Sequence, residues 1–424
     1  MLHLGTFRID GTPPVGQGVT FGLSNPTTGV RDPLFIRGYL LTSSEAACLV
    51  VTSDWCGLMN RAHRELTAAC AAGAGIEPDR VIIHSSHQHD APLFDFEIEE
   101  LLGQGTFPRD FWQTLLASAE NAAREARYRL APVAEVGHAE TRLWGYASSR
   151  DVVDGEGRFL GNRWSRTSEP EIAAAPVGVI DPMLRTLGFR DKGGRIIASW
   201  SFYASHPQVA SGSGRWSADA PGEAMRIVEA SLGTRDHAWL MGCAGNVTAG
   251  KYTSVTDLEG NLLKFGRRLA DGILRNFSAM SWETAGSLSW RTASFPFPAA
   301  VELPPRLRAE LAGPSVPASR KHIAAPTLSA AVDPRNTTYV LSRLVLGDAS
   351  ILFFPGEPFV EYQLFAQSLE PDRFIASAGN CGDSFLYLPR AASFALGGYE
   401  VQSFCWCTPD IEPRLEGAIR GVLA

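Results

Sequence analysis

Short apolar runs alternate along the chain with stretches of helical apolar spacing, and that alternation predicts the elements. Residues 33–41 and 47–52 read as strands, and 58–72 as a helix stopped by Gly73-Ala74-Gly75. Val81-Ile82-Ile83 reads as a buried strand, so this strand–helix–strand order predicts a parallel crossover. Residues 110–130 carry Trp112, Leu115, Leu116 and Ala119 on one helical face, and 133–138 follow as a strand. Residues 184–189 and 196–202 form a hairpin pattern about Lys192-Gly193-Gly194. Further helices are predicted at 219–232, with Asp219 as N-cap, and at 258–277, with a buried strand at 237–241 between them. A second hairpin spans 338–346 and 350–354. A helix at 359–369, a strand at 373–378 and a terminal helix at 411–423 complete the pattern.

Three stretches lack periodicity. Residues 1–35 are rich in Gly, Pro and Thr and read as loop with one short strand. Residues 145–175 read as a long loop bearing Arg150, Arg158 and Arg163, and loops of that length are more often functional than idle. Residues 295–330, rich in Pro and Ala, read as a lobe boundary or a lid with a short helix near Leu307. The whole predicts an α/β fold, a mixed β-sheet flanked by helices, in a single domain over 1–424.

Composition narrows the function classes. Charged residues make up 20% of the 424 and the net charge is -7, which gives no electrostatic case for nucleic acid. No apolar run approaches the ~20 residues that span a bilayer. The first ten residues lack the basic start and apolar core of a signal peptide, so the expected location is cytoplasmic. Seven scattered cysteines argue against a disulfide framework, and Cys405 and Cys407 read as structural.

Candidate chemistry sits where strands end. Ser86-His87-Gln88-His89-Asp90 follows the 81–83 strand and precedes Ala91-Pro92. In extended backbone His87 and His89 share one face, while His84 faces the other way. The layout recurs at Tyr203-Ala204-Ser205-His206-Pro207. Gly242 to Gly250 supplies small residues around Thr248, Pro355-Gly356-Glu357-Pro358 a carboxylate, and the 380–389 segment Tyr387. Ligands of α/β proteins bind outside the carboxyl ends of strands. Two histidines and one carboxylate are the donor set of a hydrolytic zinc. Each residue also has a plain reading: His206 can cap a strand, Glu357 can be a turn residue, and Tyr387 and Tyr399 can be packing residues. Asp54, just after a strand, reads as a buried hydrogen-bonding anchor or as a group that supports site residues from behind, the anchor being the plainer reading.

These segments resemble the neutral/alkaline, non-lysosomal ceramidase family, over its N-terminal catalytic domain. His87-Gln88-His89-Asp90-Ala91-Pro92 is similar to the family's HTHSGP segment, and Trp200 to Pro207 to its WFAxHP segment. Glu357 matches the carboxylate of a PGE segment. Gly379 to Tyr387 aligns with GLxNxYxxY, and Tyr399-Glu400 with a later Tyr-Glu. The resemblance implies zinc (Zn2+) ligands His87, His206, Glu357 and Tyr387. It implies catalytic roles for His89 and Tyr399, substrate contact by Arg150, and a hydroxyl from Thr248 near the scissile group. The implied reaction is hydrolysis of a linear amide, in a ceramide-like or other lipid-like small molecule, by metal-activated water. The sequence departs from the family at GDVSPN, which is Gly245-Asn246-Val247-Thr248-Ala249-Gly250 here. It reads as a short divergent member without the immunoglobulin-like C-terminal domain. Two alternatives stay open: a hydrolase of another small amide or ester on the same scaffold, and a zinc-binding homologue without turnover.

Overall fold

A computed structural model describes residues 1–18, 25–102, 107–383 and 385–424. The first sheet contains β1 (His3–Asp10), β2 (Phe35–Thr42), β3 (Ala47–Ser53) and β4 (Val81–Ser85), with Ala131–Pro132 beside β1. Its order is β4–β3–β2–β1, antiparallel except for the parallel β3–β4 pair. Helices α1 (Asn60–Ala74) and α2 (Arg109–Tyr128) pack together over it. Gly73 lies inside α1 because a Cβ there would come within 2.1 Å of the Glu120 carbonyl oxygen of α2.

The second sheet holds β5 (Glu135–Arg142), β6 (Met183–Arg190), β7 (Ile196–Tyr203), β8 (His237–Met241) and β9 (Ser281–Thr284). Its order is β8–β7–β6–β5–β9, with β7 and β8 parallel. Helices α3 (Asp219–Leu232) and α4 (Leu258–Ala279) lie against it. The third sheet runs β10 (Leu288–Pro296), β11 (Thr338–Leu346), β12 (Ala349–Phe353) and β13 (Phe374–Ala378), with β12 and β13 parallel. Helices α5 (Leu303–Ala312) and α6 (Ala318–Val332) precede β11. Helix α7 (Val360–Leu369) leads into β13, and α8 (Ile411–Leu423) closes the chain against β10.

One apolar cluster joins all three sheets: Tyr39 from the first, Trp200 and Leu240 from the second, Leu344, Ile351 and Phe353 from the third. Burying side chains of this size stabilises the fold by about 1.5–3 kcal/mol each. The parallel edges β4, β8 and β13 are stitched together at their carboxyl ends. Gly379 N–H donates to the Met241 carbonyl at 2.8 Å, Ser85 N–H to Asn380 at 3.0 Å and Gly382 N–H to Ile83 at 2.8 Å. His84 joins this seam, its Nε2 accepting the Met241 N–H at 3.1 Å.

Several expectations need correction. The first ten residues hold a full strand, β1, paired over eight positions with β2; the Gly and Pro beyond it masked its pattern. Part of that predicted loop, residues 19–24, lies outside the described residues. Asp219 is not an N-cap. It opens α3 with φ +50°, and its carboxylate accepts the backbone N–H of Val209 and Ala210. The 145–175 stretch contains short strands at Ser148–Ser149, Asp151–Val153 and Phe159–Asn162 and a helix at Pro170–Ala174. The 295–330 stretch is mostly helical, since α6 carries Pro326 inside it and reads as broken from sequence alone. Among the described residues, no helix is long and apolar enough to cross a membrane.

The Asp54 reading holds. Its carboxylate pairs with buried Arg37 at 2.9 Å and accepts the Phe35 N–H.

Burial lowers His84 to about 3. The unfolded chain takes up that proton near pH 6.5. This contribution to stability is therefore full above pH 6.5 and is lost as pH falls towards 3, at up to about 1.4 kcal/mol per pH unit. His84→Gln keeps an acceptor for Met241 N–H, and its unfolding free energy should depend on pH by about one proton less between pH 6.5 and 4.5. Urea titrations at four pH values check this; parallel curves for variant and wild type would refute it.

Candidate metal centre

The sequence places His87 two residues past β4, and the structure decides where its ring goes. The strand ends at Ser85, so strand periodicity does not set the His87–His89 geometry. His87 instead adopts φ +67°, a conformation uncommon outside glycine. Two contacts hold it there. The His87 N–H donates to the Trp55 carbonyl at 2.8 Å, and its ring Nδ1 lies 2.6 Å from the Cys56 carbonyl. Trp55, fully buried, is pinned in turn by its indole N–H on the Gly11 carbonyl. The loop after β3 thus orients the histidine after β4. The rings of His87 and His89 stand perpendicular with centroids 4.9 Å apart.

His206 leaves the end of β7 and is 1% exposed. Its backbone N–H and its ring Nδ1 both point to the Val247 carbonyl, at 3.1 and 3.0 Å. Glu357 follows β12 through Gly356, whose φ of +74° suits glycine. Its backbone pairs in parallel with Tyr387. Gly245 allows this approach, since a Cβ there would sit 2.5 Å from the Glu357 carbonyl oxygen.

These contacts fix the tautomers. A ring nitrogen facing a carbonyl must carry the hydrogen, so both Nδ1 atoms are donors, and in the neutral rings both Nε2 atoms present lone pairs. Both Nε2 atoms lie 3.3 Å from the same oxygen, Glu357 Oε2. His206 Nε2 and Glu357 Oε2 are buried without a hydrogen-bond partner. With both rings neutral, two lone pairs would face one carboxylate oxygen, an arrangement that repels unless a proton or a metal cation lies among them. The three donor atoms fall within 4.8 Å of one another. Nitrogen, nitrogen and carboxylate oxygen make a donor set that fits zinc, with each imidazole oriented through its other nitrogen.

The titration behaviour agrees with a site built for added positive charge. Burial opposes a charge on His87, but Glu357 and the contacts with Cys56 outweigh it and raise the group to about 9. His206 faces the same oxygen yet moves the other way, to about 4, through burial and the cationic Arg150. The opposite directions mean that one proton, not two, settles between the rings. Burial alone would raise Glu357; His87 and His206 hold it below its ordinary value.

The other expected residues divide. His89, Arg150, Tyr387 and Tyr399 line a cavity of about 660 Å³ together with His87 and Glu357. Arg150 is buried, and its Nη1 donates to the Tyr387 hydroxyl at 2.8 Å, to Glu400 at 3.0 Å and to the Gly245 carbonyl at 3.3 Å. Tyr387 therefore reaches the site with its hydroxyl already engaged by a cation. His89 Nε2 is buried without a hydrogen-bond partner. Burial, with His87, His206 and Arg150 nearby, keeps His89 well below its ordinary value, hence neutral. Thr248 does not line the cavity. Its hydroxyl lies behind, near Gln208 Nε2 and the Trp164 carbonyl. Asn246 is also occupied structurally, joining Val360 N–H and Glu361 at the start of α7. Ser384, within the tyrosine segment, lies outside the described residues.

Sequence reasoning missed three neighbours. Cys56 offers both its carbonyl and a thiol that groups with His87 and His89; its place just past a strand end was the available signal. Glu400, fully buried, clamps Arg150; only its adjacency to Tyr399 pointed there. His322 enters from α6, with no signal in sequence. A larger cavity of about 810 Å³ lies elsewhere, lined by ion pairs such as Arg8–Glu229 and Arg31–Glu259 that satisfy one another. It contains none of the clustered donors.

With this geometry in hand, solved structures can be compared. The chain superposes on a neutral ceramidase from Pseudomonas aeruginosa with a TM-score of 0.75 and 17% identity, covering 99% of this chain and 73% of that one. A ceramidase complexed with C2 matches equally well, covering 74% of its length. The likeness is one of fold. No protein-family model matches the chain, and no curated protein matches it in sequence.

Protein supplied with zinc should hold close to one ion per chain by elemental analysis, and His206→Ala should lose it, because removing one of three protein donors opens the site. Stoichiometric metal retained in the variant would exclude this donor set.

Proposed function

We propose that the protein is a zinc-dependent hydrolase of linear amides, of the neutral ceramidase type. The observation that carries this is the pair of Nε2 atoms oriented on one buried carboxylate oxygen, set at the carboxyl ends of parallel strands. The fold likeness to ceramidases supports it. Tyr387 is the fourth proposed ligand. When bound, zinc supplies Lewis acidity, polarising a carbonyl and lowering the pKa of water.

The chain's own residues do the rest. His89, neutral and with an unpartnered Nε2 in the cavity, exchanges a hydrogen bond or a proton with the reacting amide. Arg150 keeps its charge, because Tyr387 and Glu400 outweigh the cost of its burial. It fixes the Tyr387 hydroxyl and gives the cavity a positive wall. Tyr399, at the start of the short helix Tyr399–Gln402, packs edge-on against Trp164 and presents a neutral phenol. Its proposed part is to stabilise the developing oxyanion. Thr248 positions the Val247 carbonyl that holds His206, through its pairing with Ser148.

The lining also limits the substrate. It mixes apolar residues, Leu93, Ile323, Pro326, Leu386 and Phe404, with polar ones, Asn25, Thr27 and Ser319. That mixture suits an N-acyl amide with one apolar and one polar arm.

Zinc-loaded protein should hydrolyse N-acyl amides in a panel of chain lengths. His89→Ala should lower kcat by about 10²–10⁴-fold while elemental analysis finds the metal retained. An ester-only preference would favour the alternative substrate class. No turnover of any amide or ester by the loaded wild type would defeat the enzymatic reading.

A further inference from the structure

Behind the Tyr387 strand lies a pair of thiols that the proposed reaction does not use. Cys405 and Cys407 present their Sγ atoms 3.7 Å apart. They are free thiols, Cys405 partly exposed and Cys407 buried. Two residues of separation keep their Cα atoms within about 7 Å, inside the range a disulfide can span. Forming the bond requires the sulfurs to close by about 1.7 Å, to the usual S–S distance of about 2.05 Å.

The surroundings decide which side moves. Cys407 is anchored: its backbone bridges Ala299, and its Sγ lies 3.8 Å from the Tyr387 carbonyl. Trp406 is anchored too, with its carbonyl on the Ala300 N–H and its ring 4.2 Å from that of Phe297. Closure therefore falls on Cys405 and on Phe404 before it. Phe404 sits at φ +55°, lines the cavity, and accepts the Tyr387 N–H on its carbonyl at 3.0 Å.

We propose that Cys405 and Cys407 form a redox-active dithiol, oxidised by a low-molecular-weight disulfide, whose closure shifts Phe404 and loosens the Tyr387 strand. The partly exposed Cys405 thiolate attacks one sulfur of the small disulfide, forming a mixed disulfide and releasing one thiolate. The Cys407 thiolate then attacks the Cys405 sulfur and releases the second. The dithiol loses two electrons and two protons, and the small disulfide gains them as two thiols.

The test uses the full chain with graded ratios of oxidised to reduced glutathione. Mass spectrometry should show a loss of about 2 Da per chain, mapped to a Cys405–Cys407 bond. Hydrogen exchange of the Tyr387 amide, read on a peptide over 385–389, should accelerate at least ~3-fold as its bond to Phe404 opens. Dithiothreitol should reverse both changes, and neither should occur in Cys405→Ser or Cys405→Ala. A persistent glutathione adduct on Cys405, thiols that stay reduced in excess oxidant, or a disulfide with unchanged exchange would each overturn the proposal. Neither readout depends on turnover, so the result is separable from the reading of function.

Discussion

Three sheets meet along a seam of backbone hydrogen bonds, and everything at the site is placed from that seam. Each sheet is antiparallel except for one parallel pair, and in each that pair lies at an edge. Parallel neighbours end on the same side. When β4, β8 and β13 join at their carboxyl ends through Ser85, Met241 and Gly379, the loops that follow all open into one space. His84 belongs to this seam and not to the chemistry. A protonated imidazole could not accept the Met241 N–H, and burial keeps the ring neutral. Residues far apart in sequence, such as His87 and Glu357, thus share a site without any local motif connecting them.

Within that space the governing term is electrostatic. Glu357 is a buried carboxylate facing two imidazole Nε2 atoms, with Arg150 as the nearby permanent cation. Arg150 directs its Nη1 to Tyr387, Glu400 and Gly245, and its charge helps to keep Glu357 ionised. The His87–His206–Glu357 cluster itself holds the buried atoms that lack a hydrogen-bond partner, His206 Nε2 and Glu357 Oε2. Leaving such a group buried without a partner is costly, of order several kcal/mol. A cation among the three donors would remove that cost, and His87, Gly356 and Leu386 take positive φ in the loops that carry or flank them.

The likeness to ceramidases has a similar division of labour. At 17% identity over nearly the whole chain, the fold is shared while most side chains differ. Asn246 and Thr248 show how such differences settle. Both face inward, and both are absorbed into packing: Asn246 at the start of α7, Thr248 behind the His206 loop. Helix α6 contributes Ser319, His322 and Ile323 to the cavity wall.

Much of this was legible in one dimension. Apolar periodicity located most of the long strands and helices, and the recurrence of a polar residue after each apolar strand pointed to His87, His206, Glu357 and Tyr387. That works because strand burial and strand length are properties of neighbours in sequence. The same logic failed where the deciding contact came from elsewhere. Pro326 reads as a break, yet α6 continues through it, packed on other elements. Asp219 reads as a cap but is claimed by Val209 and Ala210. His87 and His89 share a direction because Trp55 and Cys56 force one of them into a left-handed conformation, not because of a strand. Local pattern thus set most of the elements and the kinds of donor at their ends. Which donors face one another is settled by hydrogen bonds between segments about 30 to about 300 residues apart, from Cys56–His87 to Ile83–Gly382, and no local window spans these.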